Sequence, residues 1–204
     1  MLFYETIDQQ ALDLLRALQS TREFAGMRLV GGTSLALQIG HRKSIDIDLF
    51  GKLEADPLQV SAILKQCGPV TTLSKSENIA IQTVNGIKVD IVNYPYPWLE
   101  AAIKQDGLLL AGIKDIAAMK LAAVTNRGTK KDFIDIFFLS QAFSLEEILG
   151  FYLQKYDDGS AFMVLKSLTY FDDADMDPMP VMLQHVEWET VKKKVTAEVE
   201  NHLQ

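Results

Sequence analysis

Three aspartates sit inside apolar runs that otherwise read as buried strands: Asp46 and Asp48 in SIDIDLF, and Asp90 in IKVDIVN. Residues two apart in a strand share a face, so Asp46 and Asp48 point together while Ile45, Ile47 and Leu49 turn the other way, into the core. Two adjacent carboxylates repel, and a bound cation relieves that repulsion. An all-oxygen donor set suits a hard divalent ion, magnesium first with manganese as a substitute, which combines carboxylates with water and a substrate's own phosphates. With Asp90 on a neighbouring strand, the three acids would hold one or two such ions and clamp an in-line phosphoryl displacement.

A lone Asp-x-Asp is more often a solvated strand face than a site, and a Gly-Gly pair is more often only a turn. Here the order of the parts changes the weighting. Gly31 and Gly32 end the strand MRLVGG and lead into a short helix, TSLALQIG, with Thr33 or Ser34 near its cap and Gly40 near its stop. Missing side chains at that turn let backbone N–H groups and the positive helix end approach a phosphate. Glycine turn, short helix and returning acid strand build a phosphate loop and a metal site against each other.

Lys120 and Arg127 lie seven apart in KLAAVTNRG, so a continuous helix puts both on one face. They could meet a triphosphate there, Lys120 as a movable point charge and Arg127 as a bidentate fork. The alternatives are a solvated face bridged by Asp132 or Asp135, or a helix end at Asn126-Arg127-Gly128 where the cation complements the dipole. Asp132 could orient Lys120 or Arg127 toward phosphate, or act as a base. His41, Arg42 and Lys43 precede the acid strand and suit either a phosphate contact or an exposed turn. FDDADMDPMP gathers four aspartates but lacks the glycine and terminal glutamate of a calcium loop, so it reads as an acidic surface loop.

The elements that must position these groups fall into two regions. Residues 1–105 read as a helix-flanked mixed sheet: an amphipathic helix over 7–19, the strands already named, a proline-started helix in DPLQVSAILKQCG, and VTTLS, NIAIQTV and IKVDIVNY around an Asn85-Gly86 hairpin. Residues 106–204 read as helical, from LLLAGIKDIAAMKLAAVTNRG through the last segment, VEWETVKKKVTAEVENHL. The break falls after Trp98, in YPYPWLEAAIKQDG, where prolines interrupt both periods. A net charge of −7 gives no general attraction for nucleic acid, so a polyanion would need a local patch. The single cysteine, Cys67, excludes an internal disulfide and a cysteine-based zinc site. No signal segment or membrane-spanning run is apparent, so the expected location is the cytoplasm.

GGTSLALQIGHRKSIDIDLF, IKVDIVNYPYP and KLAAVTNRGTKKDFIDIFFL together resemble the AbiEii/AbiGii-type nucleotidyltransferase toxins, a branch of the polymerase-beta-like nucleotidyltransferase superfamily. The resemblance covers residues 25 to 140 and only loosely the helices beyond. It implies an α/β (α+β) nucleotidyltransferase domain with a small mixed sheet, and a helical C-terminal region that completes the active site. Gly31, Gly32 and Thr33, with Ser34, would form the nucleotide-phosphate turn, and Ser44 would add a hydroxyl to phosphate. Asp46 and Asp48 would be the metal pair, with Asp90 as third carboxylate. Lys120 and Asp132 match active-site positions of the family, and Arg127, Lys131 and Asp135 complete that motif. The implied reaction is magnesium-dependent transfer of a nucleoside monophosphate from a nucleoside triphosphate to an acceptor hydroxyl. Implied partners are transfer RNA as acceptor and a cognate antitoxin protein. Two rival readings keep the same core: a small-molecule nucleotidyltransferase of the antibiotic-modifying sort, and a non-catalytic nucleotide- or protein-binding module.

Overall fold

Asp8 accepts a hydrogen bond from Ala11 N at 2.8 Å and so starts the first helix, α1 (Gln9–Ser20), whose Ala11, Leu12, Leu14, Leu15 and Leu18 are buried. A two-residue strand, β1 (Arg28–Leu29), follows, then helix α2 (Gly31–Ile39), strand β2 (Ile47–Gly51) and helix α3 (Pro57–Gln66). Asp56 and Gln59 close a capping box at the start of α3, with Pro57 in its first turn. Strands β3 (Val70–Lys75), β4 (Ile79–Val84), β5 (Ile87–Asn93), β6 (Ile103–Gln105) and β7 (Leu108–Leu110) complete one seven-stranded sheet, in the order β3-β4-β5-β2-β1-β7-β6. The computed structural model describes all residues, Met1–Gln204, and they form two units: Met1–Tyr96 with Ala101–Ala111, and Pro97–Glu100 with Gly112–Gln204.

The sheet is mixed: β2 runs parallel to β5, and β1 parallel to β7, while the remaining pairs are antiparallel. Asn85 and Gly86 turn between β4 and β5 with φ of 52° and 82°, the double positive φ of a two-residue hairpin. Asp106 and Gly107 repeat it between β6 and β7, with φ of 53° and 80°. Buried Gln19 fastens α1 to the sheet, donating to Leu109 O at 2.8 Å and accepting from Leu109 N at 3.1 Å.

Several elements of the sheet unit differ from the sequence reading. Leu108–Leu110 is a strand, not the start of a helix: a short apolar run has no decisive period, and the Asp106-Gly107 turn before it delivers the chain back to β6. Helix α2 begins at Gly31 with Val30 as its cap, two residues before the hydroxyls expected there. Ile45 precedes β2 and is 49% exposed, so only Ile47 and Leu49 of that alternation reach the core.

The second unit is built from α4 (Ile113–Asn126), α5 (Lys130–Leu139), α6 (Leu145–Lys155), α7 (Ala161–Leu168), α8 (Asp172–Met176) and α9 (Trp188–His202). Leu121, Phe133, Leu149, Val164, Val191 and Val195 are among its buried side chains. The acidic stretch expected as a surface loop contains α8 and does structural work. Asp177 Oδ2 accepts from Lys130 N at 2.9 Å, and Asp175 Oδ1 accepts from Trp188 Nε1 at 2.6 Å. No helix is long and apolar enough to cross a membrane.

A buried ion pair ties residues 97–100 to this unit. Asp115 accepts from Lys155 Nζ at 2.7 Å, Leu99 N at 2.9 Å and Glu100 N at 3.1 Å. Lys155 Nζ also donates to Pro97 O and lies 4.6 Å from the centre of the Trp98 ring. Asp115→Ala leaves that ammonium buried without its carboxylate and should cost about 3–5 kcal/mol. Both tryptophans, Trp98 and Trp188, belong to the helical unit, so urea denaturation followed by tryptophan fluorescence reads the loss there. A shift under about 1 kcal/mol would sink the assignment of this pair as the unit's anchor.

Candidate active site

Gly31 has a φ of +68°, and a Cβ built on it would stand 2.3 Å from Asp48 Oδ2. The glycine turn and the second acid therefore share a space that only a missing side chain leaves open. A Cβ on Gly32 would stand 2.2 Å from Arg42 Nη2 and 3.4 Å from Ser44 Oγ, so a guanidinium and a hydroxyl line the other side of the turn. Two hydrogen bonds hold the start of α2 to the acid strand: Val30 N donates to Asp48 O at 2.9 Å, and Thr33 Oγ1 donates to Asp46 O at 2.5 Å. Thr33 Oγ1 also lies 2.9 Å from Ser44 Oγ. Ser34 is buried and accepts from Gln38 Nε2 at 3.1 Å, so its hydroxyl serves the helix.

Asp46 stands one residue before β2, and Asp48 is within it. The parallel pairing of β2 and β5 sets Asp48 directly opposite Asp90. Paired residues of neighbouring strands project to the same face, so these two carboxylates are side by side. Asp90 Oδ2 accepts from Lys88 Nζ at 2.5 Å, while Asp90 Oδ1 is buried without a hydrogen-bond partner. That orphaned oxygen, next to a second carboxylate, fits a hard cation. No group of three or more histidine, cysteine, aspartate or glutamate side chains converges as a ligand cage. The donor set is therefore the kind that magnesium completes with water and substrate phosphate oxygens, since it uses one or two carboxylates and keeps the rest open.

In the helical unit a second group of charges is buried. Lys120, only 4% exposed, places Nζ 2.9 Å from Asp132 Oδ1 and 2.6 Å from Asp135 Oδ2. Arg127, at the C-cap of α4, reaches Asp132 with Nε at 3.0 Å and Nη2 at 3.2 Å, and Thr129 Oγ1 donates to the same carboxylate at 2.6 Å. Burial opposes the charged form of Asp132, yet the charge of Lys120, the hydrogen bond and charge of Arg127, and the Thr129 hydroxyl outweigh it and hold the carboxyl far below the usual carboxylate range. A carboxylate so engaged is a poor proton acceptor. Of the two roles left open by the sequence, the geometry favours orienting Lys120 and Arg127 over acting as a base. Lys131 is exposed on the first turn of α5.

Two basic residues beside the acids received no firm role from the sequence. Lys88 was readable as a partner of Asp90 from its spacing alone, two residues earlier on the same strand face. Arg42 carried no such signal, because its approach to Gly32 depends on how the chain folds back after α2. Both His41 and Arg42 are buried, so the exposed-turn reading fails for them and holds for Lys43 alone.

Comparison with known proteins agrees with this architecture. A relative from Aquifex aeolicus, an uncharacterized protein, is 33% identical over 208 residues that cover 96% of each chain. Among solved structures, JHP933 of Helicobacter pylori superposes with a TM-score of 0.57 at 17% identity, covering 96% of this chain and 92% of that one. MenT4, a nucleotidyltransferase toxin of Mycobacterium tuberculosis, gives a TM-score of 0.53 at 16% identity over 95% of this chain and 82% of its own. At such identities these structures speak for the fold. The family model for the nucleotidyl transferase AbiEii toxin of type IV toxin–antitoxin systems matches residues 13–202, and the chain accordingly belongs to the AbiEii nucleotidyltransferase family.

Proposed function

We propose that this nucleotidyltransferase works with a divalent ion, magnesium or manganese, and transfers a nucleoside monophosphate from a nucleoside triphosphate to an RNA hydroxyl, with transfer RNA as the acceptor. The observation that carries the metal reading is the side-by-side placement of Asp48 and Asp90 under a turn whose glycine leaves room for a phosphate. In the reaction the acceptor oxygen forms a bond to the α-phosphorus, the α–β anhydride bond breaks, and pyrophosphate leaves. Asp46, Asp48 and Asp90 would hold the ion, the glycine turn at Gly31 and Gly32 receives phosphate oxygens through backbone N–H groups, and Ser44 adds a hydroxyl. The chemistry a bound magnesium supplies is charge neutralisation at the α-phosphate and the pyrophosphate. Asp90, with Oδ1 uncommitted, accepts the proton of the attacking hydroxyl. Arg127 and Lys131 are exposed cations assigned to anionic substrate groups, and Lys120 and Asp132 set the direction of Arg127.

Cytoplasmic nucleotides and RNA fit this chemistry, and the type IV toxin–antitoxin designation of the family supports a cognate antitoxin. The test is incubation with each radiolabelled triphosphate and bulk transfer RNA, with magnesium and with chelator. Magnesium-dependent label on RNA is the expected result, and label confined to small molecules would sink the RNA reading.

Asp46→Asn should lower transfer more than about a hundredfold while its thermal midpoint stays within a few degrees of wild type. Gly31→Ala should lower transfer as strongly by crowding Asp48, and should also cost about 1–2 kcal/mol of stability by forcing a side chain into positive φ. Full turnover in either variant would remove the assigned role of that residue.

Asp132→Asn should destabilise the helical unit and weaken substrate binding more than it slows the bound complex. The folded-state value of this carboxyl is depressed, so its stabilisation is complete above the unfolded value of about 3.9 and declines as pH falls below it. The stability gap between wild type and Asp132→Asn should therefore be flat from neutral pH to about pH 5 and narrow below about pH 4. A gap that instead narrows toward neutral pH would contradict the charge arrangement.

A further inference from the structure

Lys88 and Asp90 lie two apart on β5, so both side chains stand on the face that carries Asp48. The ammonium therefore belongs to the acid face itself. It takes Asp90 Oδ2 at 2.5 Å and leaves Oδ1 buried without a partner. The Lys88 side chain is 38% exposed, so its stem can carry the charge outward into water without opening the core.

We propose that Lys88 is the resident counter-ion of the acid face, a tethered cation that holds Asp90 until a divalent ion displaces it and thereby sets the affinity for that ion. The inference rests on the metal-dependent reading above. An acid face with no cation would suffer repulsion between Asp48 and Asp90, which the register forces together. Lys88 relieves that repulsion in the metal-free protein, and it does so with a compact point charge that locks no geometry. A divalent ion would bring twice the charge to the Oδ2 that Lys88 holds and would leave Oδ1 for the proton of the attacking hydroxyl. Binding must nevertheless repay the loss of the Lys88 contact. Arginine in this place would grip the carboxylate with two parallel hydrogen bonds and compete harder.

The test is calorimetric titration of manganese alone, without nucleotide, into wild type, Lys88→Met, Lys88→Gln, Lys88→Arg and Asp90→Asn. Lys88→Met and the closer-sized Lys88→Gln should bind manganese roughly twofold to fivefold tighter than wild type, the scale of one partly exposed ion pair. Lys88→Arg should bind no tighter than wild type, and Asp90→Asn should bind more weakly. In chelator, Lys88→Met should melt below wild type and recover more of its midpoint when manganese is added. Wild-type binding with unchanged or weaker affinity in both neutral variants would overturn the counter-ion role and leave the metal site standing. Equal affinity in wild type and Asp90→Asn would also overturn it, because Asp90 would not be the contested ligand. Absence of manganese binding in every protein would overturn the metal reading and this inference together.

Discussion

The space that a side chain would fill at Gly31 is the space the Asp48 carboxylate approaches, with only 2.3 Å between that oxygen and a built Cβ. Much of the site follows from this exclusion. Because the turn carries no side chain, β1 can pass straight into α2 while the acid strand packs beneath the first helical residue. The contact is fixed by Val30 N on Asp48 O and by Thr33 Oγ1 on Asp46 O, one hydrogen bond to the backbone of each acid. Thr33 is buried beneath the acids, and its hydroxyl bonds the backbone of Asp46.

The sheet supplies the opposing constraint. Ile47 and Leu49 are fully buried, each worth about 1.5–3 kcal/mol in removed apolar surface, and they hold β2 in a single register. A slip by one residue would bury the acids and expose the core, so the register is strongly specified. That same register places Asp48 opposite Asp90, which makes like-charge repulsion an unavoidable product of a well-packed strand pair. The like charges of the acid face thus come from the packing of the core, and Lys88 brings one positive charge to Asp90 on that face.

Much of this was legible in the chain because it is local. Alternation around Asp46, Asp48 and Asp90, the Asn85-Gly86 turn and the stop at Gly40 each depend on a few neighbouring residues, and the hairpin and helix stop lie where expected. What stayed hidden depends on distant contacts. Leu108–Leu110 becomes a strand because β1 offers it a parallel partner, with Leu29 opposite Leu110. Ile45 stays outside the core because pairing of β2 with β5 begins only at Ile47. The acidic run at 172–177 is ordered by Lys130, Trp188 and Lys192, residues far along the chain that no spacing rule connects to it. Arg42 reaches Gly32 by the same kind of tertiary return.

The helical unit shows how buried charge can serve orientation. Lys120 and Arg127 carry two positive charges, Asp132 and Asp135 two negative ones, and both carboxylates are fully buried. An apolar core of equal volume would generally be as stable or more so, because desolvating ions costs several kcal/mol each. The cluster has a geometric product instead. Asp132, held by Lys120 and Thr129, fixes the Nε and Nη2 edge of Arg127, whose side chain remains 57% exposed. A guanidinium fixed on one edge has already lost much of its rotamer freedom. An anion that meets its exposed face is then bound with a smaller entropic cost than a free surface arginine would impose.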